Sequence, residues 1–189
     1  MRTSEIDILI IPGWTNSGPD HWQSRWERHF KTARRIAQDN WDEPQREDWV
    51  RNIIATARAL TRPAVLVAHS CGVTAIAHAA PDLAATYVAG AFLVAPADAE
   101  AMDGWPATHG GFAPTPMHTL PFPSRMIASS NDPHCSIERA QQFAKAWGSD
   151  LSIIANAGHI NTASGHGPWP EGLLTFGQFL KSLGPVVLV

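Results

Sequence analysis

Apolar residues in this chain fall into short runs that end abruptly, and these runs alternate with stretches where apolar residues recur at helical spacing. Residues 6–11 form the first run, stopped by Pro12-Gly13, and read as a buried strand. Trp22, Trp26 and Phe30 then recur every four residues, which predicts a helix opened by Pro19 or Asp20. Residues 34–38 make a weaker strand. After a polar loop, Trp49, Ile53, Ala57 and Leu60 mark a second helix that ends before Arg62-Pro63. A third run, residues 65–68, leads into His69-Ser70-Cys71-Gly72 and then into an Ala-rich helix expected to close at Pro81-Asp82.

The second half repeats this alternation around one interruption. Residues 88–94 read as a strand. The next stretch, from Pro96 to Pro123, also holds Pro106, Pro114, Pro116 and Pro121 with Gly104, Gly110 and Gly111, so an irregular excursion is expected over 96–123. Strand patterning resumes at 124–129. Ser136 can cap a helix facing inward through Ile137, Ala140, Ala144 and Trp147. Residues 151–154 give the last strand, and Leu173, Gly177, Leu180 and Leu183 a final helix. Nothing in the pattern accounts for the apolar tail, residues 185–189. Six strands alternating with helices, without repeats or a dividing linker, predict one α/β domain over 1–189. Its core would be an open, mainly parallel six-stranded sheet with helices on both faces.

In such a sheet the carboxyl ends of the strands share one edge, where sites collect. Read at those positions, the chain offers Gly13-Trp14, Ser70, Asp98, Asp132 and His159. Ala68-His69-Ser70-Cys71-Gly72 matches the small-x-Ser-x-small pattern of a nucleophile elbow, with Ala68 where glycine is usual. A serine hydroxyl needs a base to take its proton, and an imidazole needs a carboxylate to hold its tautomer. Ser70, Asp132 and His159 supply these three roles in the chain order of α/β-hydrolase triads. Backbone N–H groups of Cys71 and Trp14 are the expected oxyanion donors. Asp98 is the alternative acid, from the preceding strand end, and His166 the alternative base. Cys71 is not expected to be the nucleophile, because an elbow centred on it would need small residues at His69 and Val73. His69 and His78 are expected to be structural.

These motifs resemble the small serine hydrolases of the YdeN and retinoblastoma-binding-protein 9 type, within the α/β-hydrolase superfamily. The resemblance rests on Pro12-Gly13-Trp14 with Trp22, on Ala68-His69-Ser70-Cys71-Gly72 and on Leu93-Val94-Ala95-Pro96. It continues through Ser129-Ser130-Asn131-Asp132-Pro133, Gly158-His159-Ile160-Asn161 and the distinctive Ser164–Gly172 stretch, residues 164–172. It implies an α/β-hydrolase fold with a minimal cap, and Ser70, Asp132 and His159 as the triad.

Composition narrows the partners. A chain of 189 residues with 44% hydrophobic and 16% charged content can bury a substantial core. A net charge of −3 with no basic run argues against nucleic acid and anionic membrane surfaces. Two cysteines without metal spacing disfavour a disulfide framework or a zinc site, and with no signal-peptide pattern the expected location is the cytoplasm. His134 and Cys135 beside Asp132 lack further ligands, so neither metal nor cofactor is expected. The expected substrate is a small carboxylic ester, with an amide or thioester as alternatives and a non-catalytic binding protein as the contrasting reading. Trp105 and Trp169, on loops, are expected to line the substrate site with Trp14, and Met102, Phe112 and Met117 to help wall the groove.

Overall fold

A computed structural model describes residues 1–104 and 106–184. Trp105 and the tail at 185–189 lie outside the described residues. The strands are β1 (Asp7–Ile11), β2 (Ala33–Arg35), β3 (Ala64–Ser70), β4 (Val88–Pro96), β5 (Ser124–Ser129) and β6 (Asp150–Ile154). They form one sheet in the order β2-β1-β3-β4-β5-β6, and every neighbouring pair is parallel. The helices are α1 (Trp22–His29), α2 (Arg46–Arg58), α3 (Cys71–Leu83), α4 (Ile137–Trp147) and α5 (Pro170–Ser182).

The two-residue period of a strand divides the core in two. Leu9, Ile11, Leu66, Ala68, Leu93 and Met126 point to one face, where they meet Trp49 and Ile53 of α2, Ile76 of α3 and Phe143 and Trp147 of α4. Ile8, Ile10, Val65, Val67, Phe92 and Ile127 point to the other and meet Trp22 and Trp26 of α1 and Phe176 and Phe179 of α5. Strands buried on both faces read as continuous apolar runs, which is why β1, β3 and β4 stand out in the sequence.

Several boundaries differ from the sequence expectation. The edge strand β2 has only three residues, because it pairs with β1 from Ala33 to Arg35 and then turns away after Ile36 donates to the Ile10 carbonyl. Helix α3 does not close at Pro81 but runs to Leu83, placing the proline within its last turn, where one backbone hydrogen bond is lost. In α5 the buried face is Gly172, Phe176, Phe179 and Leu180, rotated from the expected Leu173 and Gly177. The larger aromatic rings take the inward stripe.

No helix or strand occurs among the described residues between β4 and β5. This segment is nevertheless pinned to the core. Phe112 is fully buried, edge-on to Trp49 at 5.9 Å, and its carbonyl accepts from His78 Nε2 at 2.8 Å. Pro116 accepts from the Trp147 indole at 2.8 Å, at the end of α4 remote from the strand ends, which leaves Met117 exposed there. Phe112 and Met117 are therefore not groove walls: the first is core, and the second lies towards the opposite edge of the sheet. Phe112→Ala is expected to cost about 3–5 kcal/mol of unfolding free energy, read from urea denaturation. A loss below about 1 kcal/mol would mean the segment is not part of the core.

Candidate active site

Strand β3 runs between β1 and β4, and its apolar stretch is fully buried up to Ala68, so its end is fixed at the middle of the sheet. Ser70 sits at that end with φ 56° and ψ −126°, in the left-handed region that costs a non-glycine residue roughly 1–3 kcal/mol. The chain reverses there and enters α3 at Cys71. Two glycines make room for this turn. A Cβ on Gly72 would lie 2.5 Å from the carbonyl oxygens of Ile11 and Pro12, and one on Gly13 would lie 2.6 Å from the Ser70 Cβ. The loop after β1 is thus packed directly on the elbow, which brings the Gly13–Trp14 peptide beside Ser70.

His159 follows β6 and Asp132 follows β5. His159 Nε2 is 2.8 Å from Ser70 Oγ, and its Nδ1 is 2.9 Å from each carboxylate oxygen of Asp132. The Asp132 side chain is 2% exposed and that of His159 is 9% exposed. An Nδ1–H donated to the carboxylate leaves the Nε2 lone pair to accept the serine hydroxyl proton. Asp132 Oδ1 also accepts the backbone N–H of His134 at 2.9 Å.

A polar latch ties the imidazole loop to the carboxylate loop. Ser129 Oγ accepts from Ala157 N at 3.0 Å, Ser130 Oγ from Asn156 N at 2.9 Å, and Asn131 Oδ1 from Gly158 N at 2.8 Å. From the other side, His69 Nε2 donates to the His159 carbonyl at 2.8 Å and the Trp22 indole donates to the Ile160 carbonyl at 3.0 Å. The latch and the hydrogen bond from the Trp22 indole were not expected from the sequence, which placed Trp22 only on a helix face and in a motif. Three consecutive short hydrogen-bonding side chains at the end of a strand, Ser129 to Asn131, were the available signal.

The alternative residues are engaged elsewhere. Asp98 is buried and ion-paired with Arg139 at 3.2 Å, and Arg139 also pairs with Glu100. His166 meets Ser164 Oγ at 3.2 Å. Burial pushes the Cys71 thiol far up from its ordinary value, and burial with the charges of Asp98 and Asp132 pushes Cys135 up to about 12, so neither is a ready thiolate. Trp14 is 38% exposed, with its indole N–H donating to the Asp42 carbonyl at 2.7 Å. Trp169 departs from expectation: it is 4% exposed, its ring 5.2 Å from Trp22 and stacked on Trp26 at 6.1 Å. Hydrophobic packing has drawn it into the core beneath the imidazole loop, away from a substrate-facing wall. No three His, Cys, Asp or Glu side chains among the described residues are grouped to hold a metal ion.

Imidazoles pack around His159. Its ring centroid is 4.8 Å from His69 and 4.5 Å from His134, and His69 is 4.9 Å from His21. Burial drives His69 well below the ordinary histidine value. Burial followed by the Arg35 charge lowers His21 to about 4, and burial followed by His159 lowers His134.

A parallel sheet with helices on both faces and an elbow serine after its third strand defines an α/β hydrolase. The family profile described as serine hydrolase matches residues 8–178, and the chain belongs to that family. Among solved structures, it is 34% identical to a YdeN-like hydrolase of Pectobacterium atrosepticum, over 95% of this chain and 92% of that one, with a TM-score of 0.82. The ydeN gene product of B. subtilis matches with a TM-score of 0.71 at 18% identity, covering 94% of this chain and 100% of that one. Esterase 2 of Thermogutta terrifontis, in a form phosphonylated by cyclosarin, matches in fold with a TM-score of 0.69 at 15% identity over 98% of this chain and 88% of that one. A search of curated protein sequences returned no match.

The lowered His21 value has a consequence for stability. A histidine whose folded-state value lies below its unfolded value of 6.5 contributes stability that is present above pH 6.5 and lost as pH falls towards 4. His69 acts in the same direction. Unfolding free energy is expected to fall by on the order of 3 kcal/mol between pH 7 and pH 4 from His21 alone. His21 also caps α1, its Nδ1 accepting from Gln23 N at 3.2 Å, so His21→Asn keeps a cap acceptor without the titration. Urea midpoints measured across this range should show a shallower slope for the variant; equal slopes would contradict the assignment.

Proposed function

We propose that this hydrolase cleaves small carboxylic esters through an acyl-enzyme on Ser70. The observation that carries the reading is the single imidazole of His159 bridging the Ser70 hydroxyl and the Asp132 carboxylate, at 2.8 Å on one nitrogen and 2.9 Å on the other. Ser70 Oγ attacks the ester carbonyl carbon as His159 Nε2 takes its proton. The carbonyl oxygen becomes an oxyanion that the backbone N–H groups of Trp14 and Cys71 receive. Cys71 is the first residue of α3, so its N–H has no acceptor within the helix. Collapse breaks the bond to the alcohol oxygen, which leaves with the proton held by His159. Water then attacks the acyl-enzyme, giving up a proton to His159, and the acid is released as Ser70 regains its hydrogen. Asp132 stays ionised throughout and stabilises the imidazolium.

An amide or thioester passes through the same intermediate, so leaving-group chemistry is the open choice within this reading. Two buried free thiols suit a reducing compartment, for which we propose the cytoplasm. No helix among the described residues is long and apolar enough to cross a membrane.

Fluorophosphonate labelling tests the nucleophile. The wild-type protein should be labelled stoichiometrically, Ser70→Ala not at all, and Asp132→Asn at a rate reduced by roughly 10²–10⁴-fold. Stoichiometric labelling of Ser70→Ala would remove the assignment, and an unlabelled wild-type protein would favour a binding role on a hydrolase scaffold.

Substrate size follows from the segment between β4 and β5, which carries no helical lid among its described residues and has Phe112 turned into the core. A partly open site binds a short acyl chain better than a long one. Across a p-nitrophenyl ester series, kcat/KM should fall once the acyl chain exceeds about eight carbons, the span of a groove rather than of an enclosed cavity. Highest activity on palmitoyl esters would contradict this.

A further inference from the structure

The loop from Gly13 to Ser17 has an unfavourable backbone. Thr15 and Asn16 both hold positive φ, 63° and 67°, and successive left-handed non-glycine residues are disfavoured, most of all at the β-branched Thr15. The turn closes when Asn16 N donates to the Gly13 carbonyl at 3.1 Å. Trp14, between them, carries the N–H assigned above to the oxyanion. Something must hold that peptide in place.

Arg35, the last residue of β2, reaches into the loop with a side chain only 19% exposed. Its Nη1 donates to Asn16 Oδ1 and to the Ser17 carbonyl at 3.0 Å, and its Nη2 to Ser24 Oγ at 2.7 Å. Ser24 Oγ in turn donates to the same Ser17 carbonyl at 2.9 Å. The guanidinium is held from behind by Glu27, which receives Nε at 3.1 Å, Nη2 at 2.9 Å and the Arg35 backbone N–H at 3.0 Å. Gln23, fully buried, fixes the loop's origin by donating to Ile11 and Val67 carbonyls and accepting from Ser17 Oγ.

We propose that Arg35 is a positioning residue of the oxyanion hole: its planar fan of donors, braced by Glu27, keeps the Thr15–Asn16 turn left-handed and so keeps the Trp14 N–H aimed over Ser70. The proposal rests on the reading of the Trp14 N–H as an oxyanion donor. A guanidinium suits the task because it meets acceptors on two sides of one plane at once. A lysine can satisfy either Glu27 or the loop. An ion pair serving only the fold would change stability and leave turnover alone.

Steady-state kinetics on p-nitrophenyl acetate separates these roles, at a temperature where circular dichroism shows each variant folded. Arg35→Met is expected to lower kcat by roughly 10–100-fold, part of the loss seen when an oxyanion donor is removed outright, with KM within about twofold of wild type. Arg35→Lys should recover only part of that loss. Asn16→Gly, which keeps the left-handed turn accessible but removes the Oδ1 acceptor, should lower kcat several-fold, and it decides by the same criterion if Arg35→Met does not fold. Unchanged kcat in an active background, or an effect confined to KM, overturns the role of Arg35 alone. A wild-type protein that neither hydrolyses the ester nor takes up a fluorophosphonate overturns the functional reading, and this proposal with it.

Discussion

The arrangement depends on one close approach, where three backbone segments meet at the end of β3. The Ile11 and Pro12 carbonyls lie where a Gly72 Cβ would be, and Ser70 lies where a Gly13 Cβ would be. Two side chains are absent so that a third can stand on a strained turn above the sheet. The strain at Ser70 persists because both flanks are rigid: β3 is buried and paired on both sides, and α3 begins at once beneath it. This packing also carries the chemistry. The loop whose carbonyls crowd Gly72 is the loop that carries Trp14, so under the proposed mechanism the steric constraint and the electrostatic one fall on neighbouring peptides.

The imidazoles around His159 serve the proposed cycle in a second way. When His159 takes the serine proton it becomes a cation in a largely buried place, with the Asp132 carboxylate as counter-charge. A charged neighbour at 4.8 Å would oppose that step strongly in low dielectric. His69, donating to a backbone carbonyl, and His21, capping a helix, are both held neutral by burial. Positive charge is thus reserved for the imidazole that has a carboxylate. The cost is acid sensitivity, since neighbours buried neutral are driven towards protonation when the fold opens.

Much of this was legible in the sequence, for identifiable reasons. Strands buried on both faces leave unbroken apolar runs, so β1, β3 and β4 stood out, whereas of the two edge strands β2 was blurred because only three residues pair. The residues of the candidate triad were legible because each follows a strand, and parallel topology delivers all such ends to one edge. Trp169 was misread because loop position was taken for exposure, whereas a large ring beside Trp22 and Trp26 gains more from joining them. Phe112 misled for the same reason. The latch at 129–131, which joins two loops distant in sequence, and the Arg35 fan, which joins a strand end to α1 and the loop before it, were out of reach because such side-chain hydrogen bonds have no periodicity to betray them.

The segment between β4 and β5 shows how a proline-rich excursion can be ordered without regular structure. Its entrance is clamped by Arg139, which pairs with both Asp98 and Glu100, and Glu100 also accepts the Thr115 N–H, drawing the two limbs together. Phe112 buries its middle against α2 and α3, and the Trp147 indole holds Pro116. A stretch tied at so many points is a poor candidate for a moving lid, because opening it would expose core aromatic surface. The mobile-cap strategy is therefore unavailable to the described part of this segment. The elements that border the Ser70–His159 pair are instead the loop after β1, with its half-exposed Trp14, and His134, whose ring lies 4.5 Å from that of His159. These elements also carry the proposed oxyanion donor and, through the His134 N–H, a hydrogen bond to Asp132. Under the proposed function, a change to these elements that alters substrate choice is expected to alter turnover as well.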